Sequence, residues 1–133
     1  MSHRASISCG LLLASLLVTP AGLAAGRTPS GRISVAQVMA WLESASSDAA
    51  ANERLVLYVS GVVESALAAS STVQKRGDAA LLCPPASGKG KMDGAQIATW
   101  LRAAEPDAKR WPETEATPIV LAQFLRAYPC SAR

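Results

Sequence analysis

The sequence contains little of what catalysis or metal binding normally requires. It has one histidine, His3, and three cysteines, Cys9, Cys83 and Cys130, without a Cys-x-x-Cys pair. A Ser-His-Asp or Cys-His arrangement would have to use a histidine at the very start of the chain. His3 and Cys9 both lie in the predicted signal segment described below, and without them two thiols fall short of the four ligands of a structural zinc site. We expect a protein that is not an enzyme and that holds neither a metal nor a cofactor.

The sequence also has only a small excess of basic over acidic residues. Thirteen Lys and Arg stand against ten Asp and Glu, which gives a formal net charge of +3. The basic pairs Lys75–Arg76 and Lys109–Arg110 are isolated and too short to form a track. Because nucleic-acid binding normally requires a concentrated basic stripe, we expect no nucleic-acid partner.

The start of the chain has the pattern of a secretory signal peptide. A basic start, an apolar run at residues 10–18 and small residues around Ala25 follow one another. A membrane span needs about 20 apolar residues, and Pro20 interrupts this run. We therefore predict a cleaved signal peptide over residues 1–25 and one mature, exported domain over residues 26–133. An uncleaved anchor is the alternative.

Removal of that segment would leave two cysteines and no histidine. Two cysteines in an exported protein most simply form one disulfide, because compartments outside the cytoplasm are oxidising. The loop between them is long, so the chain-entropy model gives about 4 kcal/mol of stabilisation. We predict a structural disulfide between Cys83 and Cys130.

The mature chain has the apolar periodicity of α-helices throughout. Apolar residues recur at i, i+3, i+4 and i+7, and a longer run over residues 49–69 is apolar on much of its surface. The valines of that run would also suit a strand, but its unbroken length favours a helix. We predict an all-α, small single domain of four helices or slightly more, with the helix over 49–69 as the central and most buried one. The predicted inward residues are Val35, Val38, Met39 and Leu42; Leu55, Val59, Val62, Val63 and Ala66; Ile97, Trp100, Leu101 and Ala104; and Leu121, Leu125 and Tyr128.

Capping residues indicate where these helices begin. Ser34 is a typical N-cap, Ser47 or Asp48 can cap the long helix, and Asp93 with Gln96 has the spacing of a capping box. Thr117 followed by Pro118 predicts the start of the last helix. The stretch after residue 69 is predicted to be irregular. The three tryptophans, Trp41, Trp100 and Trp111, are interpreted as packing residues and not as a ligand cage.

Residues 83–94 (CPPASGKGKMDG) form a basic, glycine-bearing loop. A phosphate-binding loop would require GxxxxGK[ST] after a strand. Here Cys83 stands where the first glycine should be, and Gly90 follows Lys89. The loop is therefore either a solvated connection or a segment available to contact a partner, since binding residues concentrate on loops of a rigid scaffold.

Four short motifs follow one another in a recognisable order. They are YVSGVVESA at 58–66, CPP at 83–85, QIATWL at 96–101 and FLRAYPC at 124–130. Together they resemble the Tai/Rap-type immunity proteins, which are small, exported, mainly helical proteins that protect bacteria against amidase effectors of type VI secretion. The resemblance covers roughly residues 55–130.

The resemblance implies a periplasmic protein with no chemistry of its own. It would form a homodimer, bind a secreted effector that cleaves peptidoglycan cross-links, and cover the cysteine–histidine cleft of that effector. The loop after Cys83 would be the element directed into the cleft, although an interface made of helix faces stays open. The predicted partner-binding residues are Pro85, Ser87, Lys89, Lys91 and Met92.

The shared motifs also place Gly61 in the middle of a helix. A glycine there costs about 1 kcal/mol relative to alanine. We expect another helix to pack closely over Gly61 in compensation.

Two other functions stay open. Small exported helical proteins with one disulfide also serve as stress proteins or chaperones, and a groove between helices could carry a small ligand. The first function predicts apolar surface exposed at low pH, through carboxylates that titrate around pH 4. The second predicts a lipid or metabolite that co-purifies with the protein.

Overall fold

Four α-helices make up most of the chain that the computed structural model describes, residues 28–84 and 92–130. The predicted small, single, all-α domain with one disulfide is confirmed. The predicted signal peptide lies outside the described residues. The helices are α1 (Val35–Ser44), α2 (Ala49–Lys75), α3 (Gly94–Ala104) and α4 (Ala116–Ala127), and a short 3-10 helix at Ala108–Arg110 precedes α4.

Side-chain caps begin three of these helices. Ser34 Oγ accepts a hydrogen bond from the N–H three residues on at 3.1 Å, and Asp93 Oδ1 does the same at 2.6 Å. Both caps were predicted, and so was the third, since Asp48, one of the two candidates for α2, accepts the N–H two residues on at 2.9 Å. The prediction for α4 is wrong. That helix begins at Ala116, so Thr117 lies inside it and does not cap it.

The starts of α1 and α4 are joined side by side by backbone hydrogen bonds. The Val35 N–H donates to the carbonyl of Thr114 at 2.8 Å. The Ala116 N–H donates to the carbonyl of Ile33 at 3.0 Å, which completes an isolated antiparallel β-bridge. The first N–H of a helix has no partner within the helix, so this joint satisfies two buried donors at once.

The core lies where α1, α3 and α4 meet one side of α2. In α4 the inward stripe consists of Val120 and Phe124. The predicted stripe of Leu121, Leu125 and Tyr128 is wrong, since these residues are half-buried at its edge. The most deeply buried apolar side chains are Val35, Val38 and Met39 of α1, Ile97 and Leu101 of α3, and Val120 and Phe124 of α4.

The inward face of α3 agrees with the prediction in part. Ile97 and Leu101 are buried, but Ala98 replaces the predicted Ala104, which is exposed, and Trp100 is half-buried. In both helices the apolar residues cover a wide arc. The spacing of the apolar residues therefore predicts that the segment is a helix. Which of these residues are most deeply buried depends on the helices that pack against it.

α2 is longer than predicted. It continues to Lys75, through the stretch that was expected to be irregular. Ser70 explains the difference, because it is 4% exposed and its Oγ accepts the N–H of Leu81 at 3.0 Å. The chain leaves α2 through Gly77, whose φ of +91° favours glycine, and returns alongside the helix.

The prediction that α2 is the most buried helix is also wrong. Only five of its 27 residues are buried, because α1 and α4 pack against one side of it. Within the predicted inward set, Val62 and Ala66 are buried, whereas Leu55, Val59 and Val63 are half-buried at the flank. The buried residues of α2 are Ala51, Tyr58, Val62, Ala66 and Ser70.

The predicted disulfide between Cys83 and Cys130 is present, with the two Cα atoms 4.9 Å apart. Beside it, the Cys83 N–H donates to the carbonyl of Tyr128 at 3.0 Å. Leu82 is buried in one cluster with Phe124. The bond therefore holds the segment after α2 against the end of α4, and it is compatible with an oxidising compartment.

Reduction of this disulfide should lower the free energy of unfolding by about 4 kcal/mol, because the bond closes a loop with a sequence separation of 47 residues. Urea unfolding of the oxidised protein and of the same protein in dithiothreitol measures the difference. The double variant Cys83→Ser/Cys130→Ser should match the reduced protein. Equal unfolding midpoints for the oxidised and reduced forms would contradict a stabilising role.

Candidate binding surface

α2 exposes large apolar side chains on both sides of its buried stripe. Leu57 is 65% exposed and Val56 is 53% exposed. Leu67, three turns after Val56, is 39% exposed. The buried side of the helix is occupied by Tyr58 and Val62, which lie one turn apart. Exposed apolar patches with polar rims often mark interaction sites, so α2 is the first candidate for one.

On one side of α2 lies a groove of about 570 Å³, which we call the α2–α3 groove. Asn52, Ser60 and Glu64 supply its polar rim. The groove is large enough for a few side chains of a partner or for a small ligand. Its apolar wall consists of Leu55, Val56, Val59, Val63, Met92 and Ile97.

On the other side lies the α2–α4 groove, of about 500 Å³. It is open along its length, and its lining is almost entirely apolar. Leu57 stands at one end and Leu81, 46% exposed, at the other. The middle of its wall consists of Gly61, Val62, Ala66, Leu121 and Leu125.

The expectation for Gly61 is wrong. Among the described residues, no neighbouring atom lies within 4 Å of the position that a Cβ would occupy on it, and the residue is exposed. None of α1, α3 and α4 packs over Gly61, and its missing side chain instead keeps the middle of the α2–α4 groove open.

A third groove, at the start of α4, continues the α2–α4 groove and ends in a polar cluster. Arg32 Nη1 lies 2.8 Å from Glu115 Oε2, and Ser30 Oγ donates to Glu115 Oε1 at 3.1 Å. The hydrogen bond from Arg32 is the main reason that the pKa of Glu115 lies below its ordinary value of 4.5. This cluster attaches the segment before α1 to the start of α4.

Tyr58 links the floor of the α2–α4 groove to α4. Its hydroxyl donates to Thr117 Oγ1 at 3.4 Å, and burial raises the pKa of that hydroxyl. Its ring meets that of Trp41 edge to face, with centroids 6.1 Å apart. All three tryptophans are half-buried, which agrees with their interpretation as packing residues.

Glu105 is a buried carboxylate that the sequence analysis did not single out. It is 7% exposed and lies 3.4 Å from both Arg110 Nε and Thr114 Oγ1. Its backbone carbonyl accepts the indole N–H of Trp111 at 2.8 Å. Because its hydrogen bonds serve the turn between α3 and α4 and it lines none of the grooves, we assign it a structural role.

Most of the predicted partner-binding residues lie outside the described part of the chain. These are Pro85, Ser87, Lys89 and Lys91. The fifth, Met92, is half-buried and forms part of the α2–α3 groove.

The missed surface residues are Val56, Leu57 and Leu67. The sequence did carry a signal for them, since they lie outside the stripe that Tyr58 and Val62 begin. A helix that is apolar on all sides is normally buried, however, so the sequence predicted burial for this one.

Within residues 28–84 and 92–130, no three His, Cys, Asp or Glu side chains are grouped so that they could hold a metal ion. By length and composition alone, α2 could also cross a membrane, and 22% of its most apolar window is buried in the domain. Signal sequences and core helices of water-soluble proteins pass the same test.

Gly61→Ala should raise the free energy of unfolding by up to about 1 kcal/mol, because alanine favours the helix and the added methyl group meets nothing. Gly94→Ala is the matched control. There the new Cβ would lie 2.9 Å from Leu42 Cδ2, which should cancel the gain. Urea unfolding compares both with the parent protein. A loss of stability in Gly61→Ala would mean that the groove is closed over this position.

Glu115→Gln should lower the melting temperature at pH 7, and the difference from the parent should disappear in acid. The folded pKa of Glu115 lies below its unfolded value, so its charge stabilises the fold above pH 4.5 and that contribution is lost as the pH falls through the folded pKa. Thermal unfolding from pH 7 to pH 2 measures this, with Glu113→Gln as the control on an exposed carboxyl. A difference that does not change with pH would contradict the ion pair.

Comparison with known proteins adds no assignment to this geometry. No family model, curated protein or solved structure matches the chain. The features that bear on function are the grooves, the exposed apolar side chains of α2 and the order of the sequence motifs.

Proposed function

We propose that this protein is a periplasmic immunity protein that binds and blocks a peptidoglycan amidase of type VI secretion. The observation that carries the proposal is the exposed apolar side of α2 beside the α2–α3 groove. The order of the four motifs that resemble the Tai/Rap-type immunity proteins supplies the identity of the partner.

The α2–α3 side of α2 has the composition of a protein interface. Val56 and Leu67 are separated by 11 residues, close to three helical turns, and so project from the same side. Between them along the helix lie the polar residues Ser60 and Glu64. Interfaces combine apolar and polar side chains, and a few apolar anchors carry most of the binding energy.

The described residues that flank residues 85–91 support the same side of α2. Pro84 follows the disulfide-bonded Cys83, and Met92 lies in the wall of the α2–α3 groove. Lys89 and Lys91 lie between them in the sequence. We propose that the loop and the groove contact the effector together, so the loop and the helix faces need not be alternatives.

Inhibition in this proposal needs no chemistry from the bound protein. The protein would cover the cleft of the amidase and exclude the peptidoglycan substrate. Export through the signal peptide would place it in the periplasm, where the Cys83–Cys130 disulfide would persist. A homodimer is part of the proposal.

The exposed apolar side chains also support a second candidate. A stress or chaperone-like protein would use the same surface to hold unfolded segments of other proteins. It would bind many chains weakly, whereas the immunity protein would bind one amidase tightly.

The test mixes the disulfide-bonded protein with the product of the neighbouring gene. Calorimetry measures binding, and an amidase assay measures the cleavage of peptidoglycan cross-links. Tight binding with loss of amidase activity is the expected result, and light scattering gives the stoichiometry. A neighbour that is no hydrolase, or is not bound, would remove the immunity proposal.

Val56→Asp/Leu67→Asp should weaken amidase binding at least about tenfold, which corresponds to about 1.4 kcal/mol. Leu57→Asp, on the α2–α4 side, is the matched control and should retain affinity. Lys89→Glu/Lys91→Glu should also weaken binding if the loop takes part, and circular dichroism checks the helix content of each variant. Equal affinity of the Val56/Leu67 variant and the parent would move the interface elsewhere.

A further inference from the structure

The α2–α4 groove continues into the groove at the start of α4. Ile33, Thr117 and Leu121 line both. The result is one channel with an apolar body and a single polar end, at Arg32 and Glu115. A channel of this kind matches a molecule with an apolar tail and a polar head.

The apolar part has the dimensions of one acyl chain. From Leu57 to Ala69 the α2 wall runs for 12 residues, or about 18 Å at 1.5 Å per residue. Half of a bilayer core, the depth that one lipid chain spans, is about 15 Å. None of the described residues that line this part of the channel is charged, and Gly61 leaves its middle unobstructed by them.

The polar end carries both signs of charge. Arg32 uses one nitrogen, Nη1, on Glu115. A guanidinium has five N–H donors, so others remain for a phosphate. Glu115 is partly exposed, at 29% of its side chain, and can accept an ammonium group. A purely anionic head would be repelled by Glu115 and a purely cationic one by Arg32, whereas a zwitterionic head satisfies both.

We propose that this channel binds a single-chain zwitterionic phospholipid. The acyl chain lies along α2 and α4 between Gly61 and Leu121, the phosphate binds Arg32, and the ammonium group binds Glu115. The site lies on the opposite side of α2 from the surface proposed for the amidase, and it does not depend on the immunity function.

The test titrates the disulfide-bonded protein with lysophosphatidylethanolamine below its critical micelle concentration, by calorimetry. Gly61→Leu fills the middle of the channel and should weaken binding at least about tenfold. Ser60→Leu is the matched control. Ser60 precedes Gly61 but lines the α2–α3 groove, so this substitution should change the affinity for the lipid by no more than about twofold. Lack of binding by the parent, or equal effects of the two variants, overturns the proposal.

A second pair of measurements tests the head group. Arg32→Gln should weaken binding of lysophosphatidylethanolamine about tenfold and leave binding of a monoacylglycerol, which has no charge, unchanged. Equal affinity of the parent for both lipids overturns the assignment of the charged end. Binding to phosphatidylethanolamine–phosphatidylglycerol vesicles without binding of the monomeric lipid would show a membrane surface site and also overturns the proposal. Thermal unfolding confirms that each variant is folded.

Discussion

The backbone joint between the starts of α1 and α4 is the constraint on which the rest of the structure depends. It pairs Ile33 with Ala116 and Val35 with Thr114, and so satisfies helix N–H groups that are buried from water. α1 and α4 both start at this joint, and both pack against α2, whose buried residues lie on one side. The same joint brings Arg32 next to Glu115, 83 residues away in the sequence.

The one-sided packing of α2 explains both candidate surfaces. Its buried stripe runs through Tyr58, Val62 and Ala66, and the other three α-helices of the described chain leave the exposed apolar residues on either side of that stripe uncovered. Leaving Val56 and Leu57 in water forgoes the stabilisation that burial would bring, at about 25 cal/mol per Å². A partner that covers these side chains would recover it, which is the physical basis of the proposed complexes on the two sides.

Much of the fold could be predicted from local chemistry. Ser34 and Asp93 cap helices as their types and positions indicate, and the pairing of Cys83 with Cys130 follows from the expected export of the chain. The errors concern α2 and α4. Ser70 belongs to the helix because a distant backbone N–H, that of Leu81, satisfies its hydroxyl. Gly61 is exposed although its place in a long apolar helix suggested close packing.

The sequence by itself determined that the chain forms helices and that Ser34 and Asp93 cap two of them. These properties depend on residues within a few turns of one another. Only the tertiary structure decided which apolar side chains of α2 remain exposed, that the grooves flank it, and that Arg32 meets Glu115. Burial depends on which helices are neighbours, and contacts between residues far apart in the chain set that arrangement.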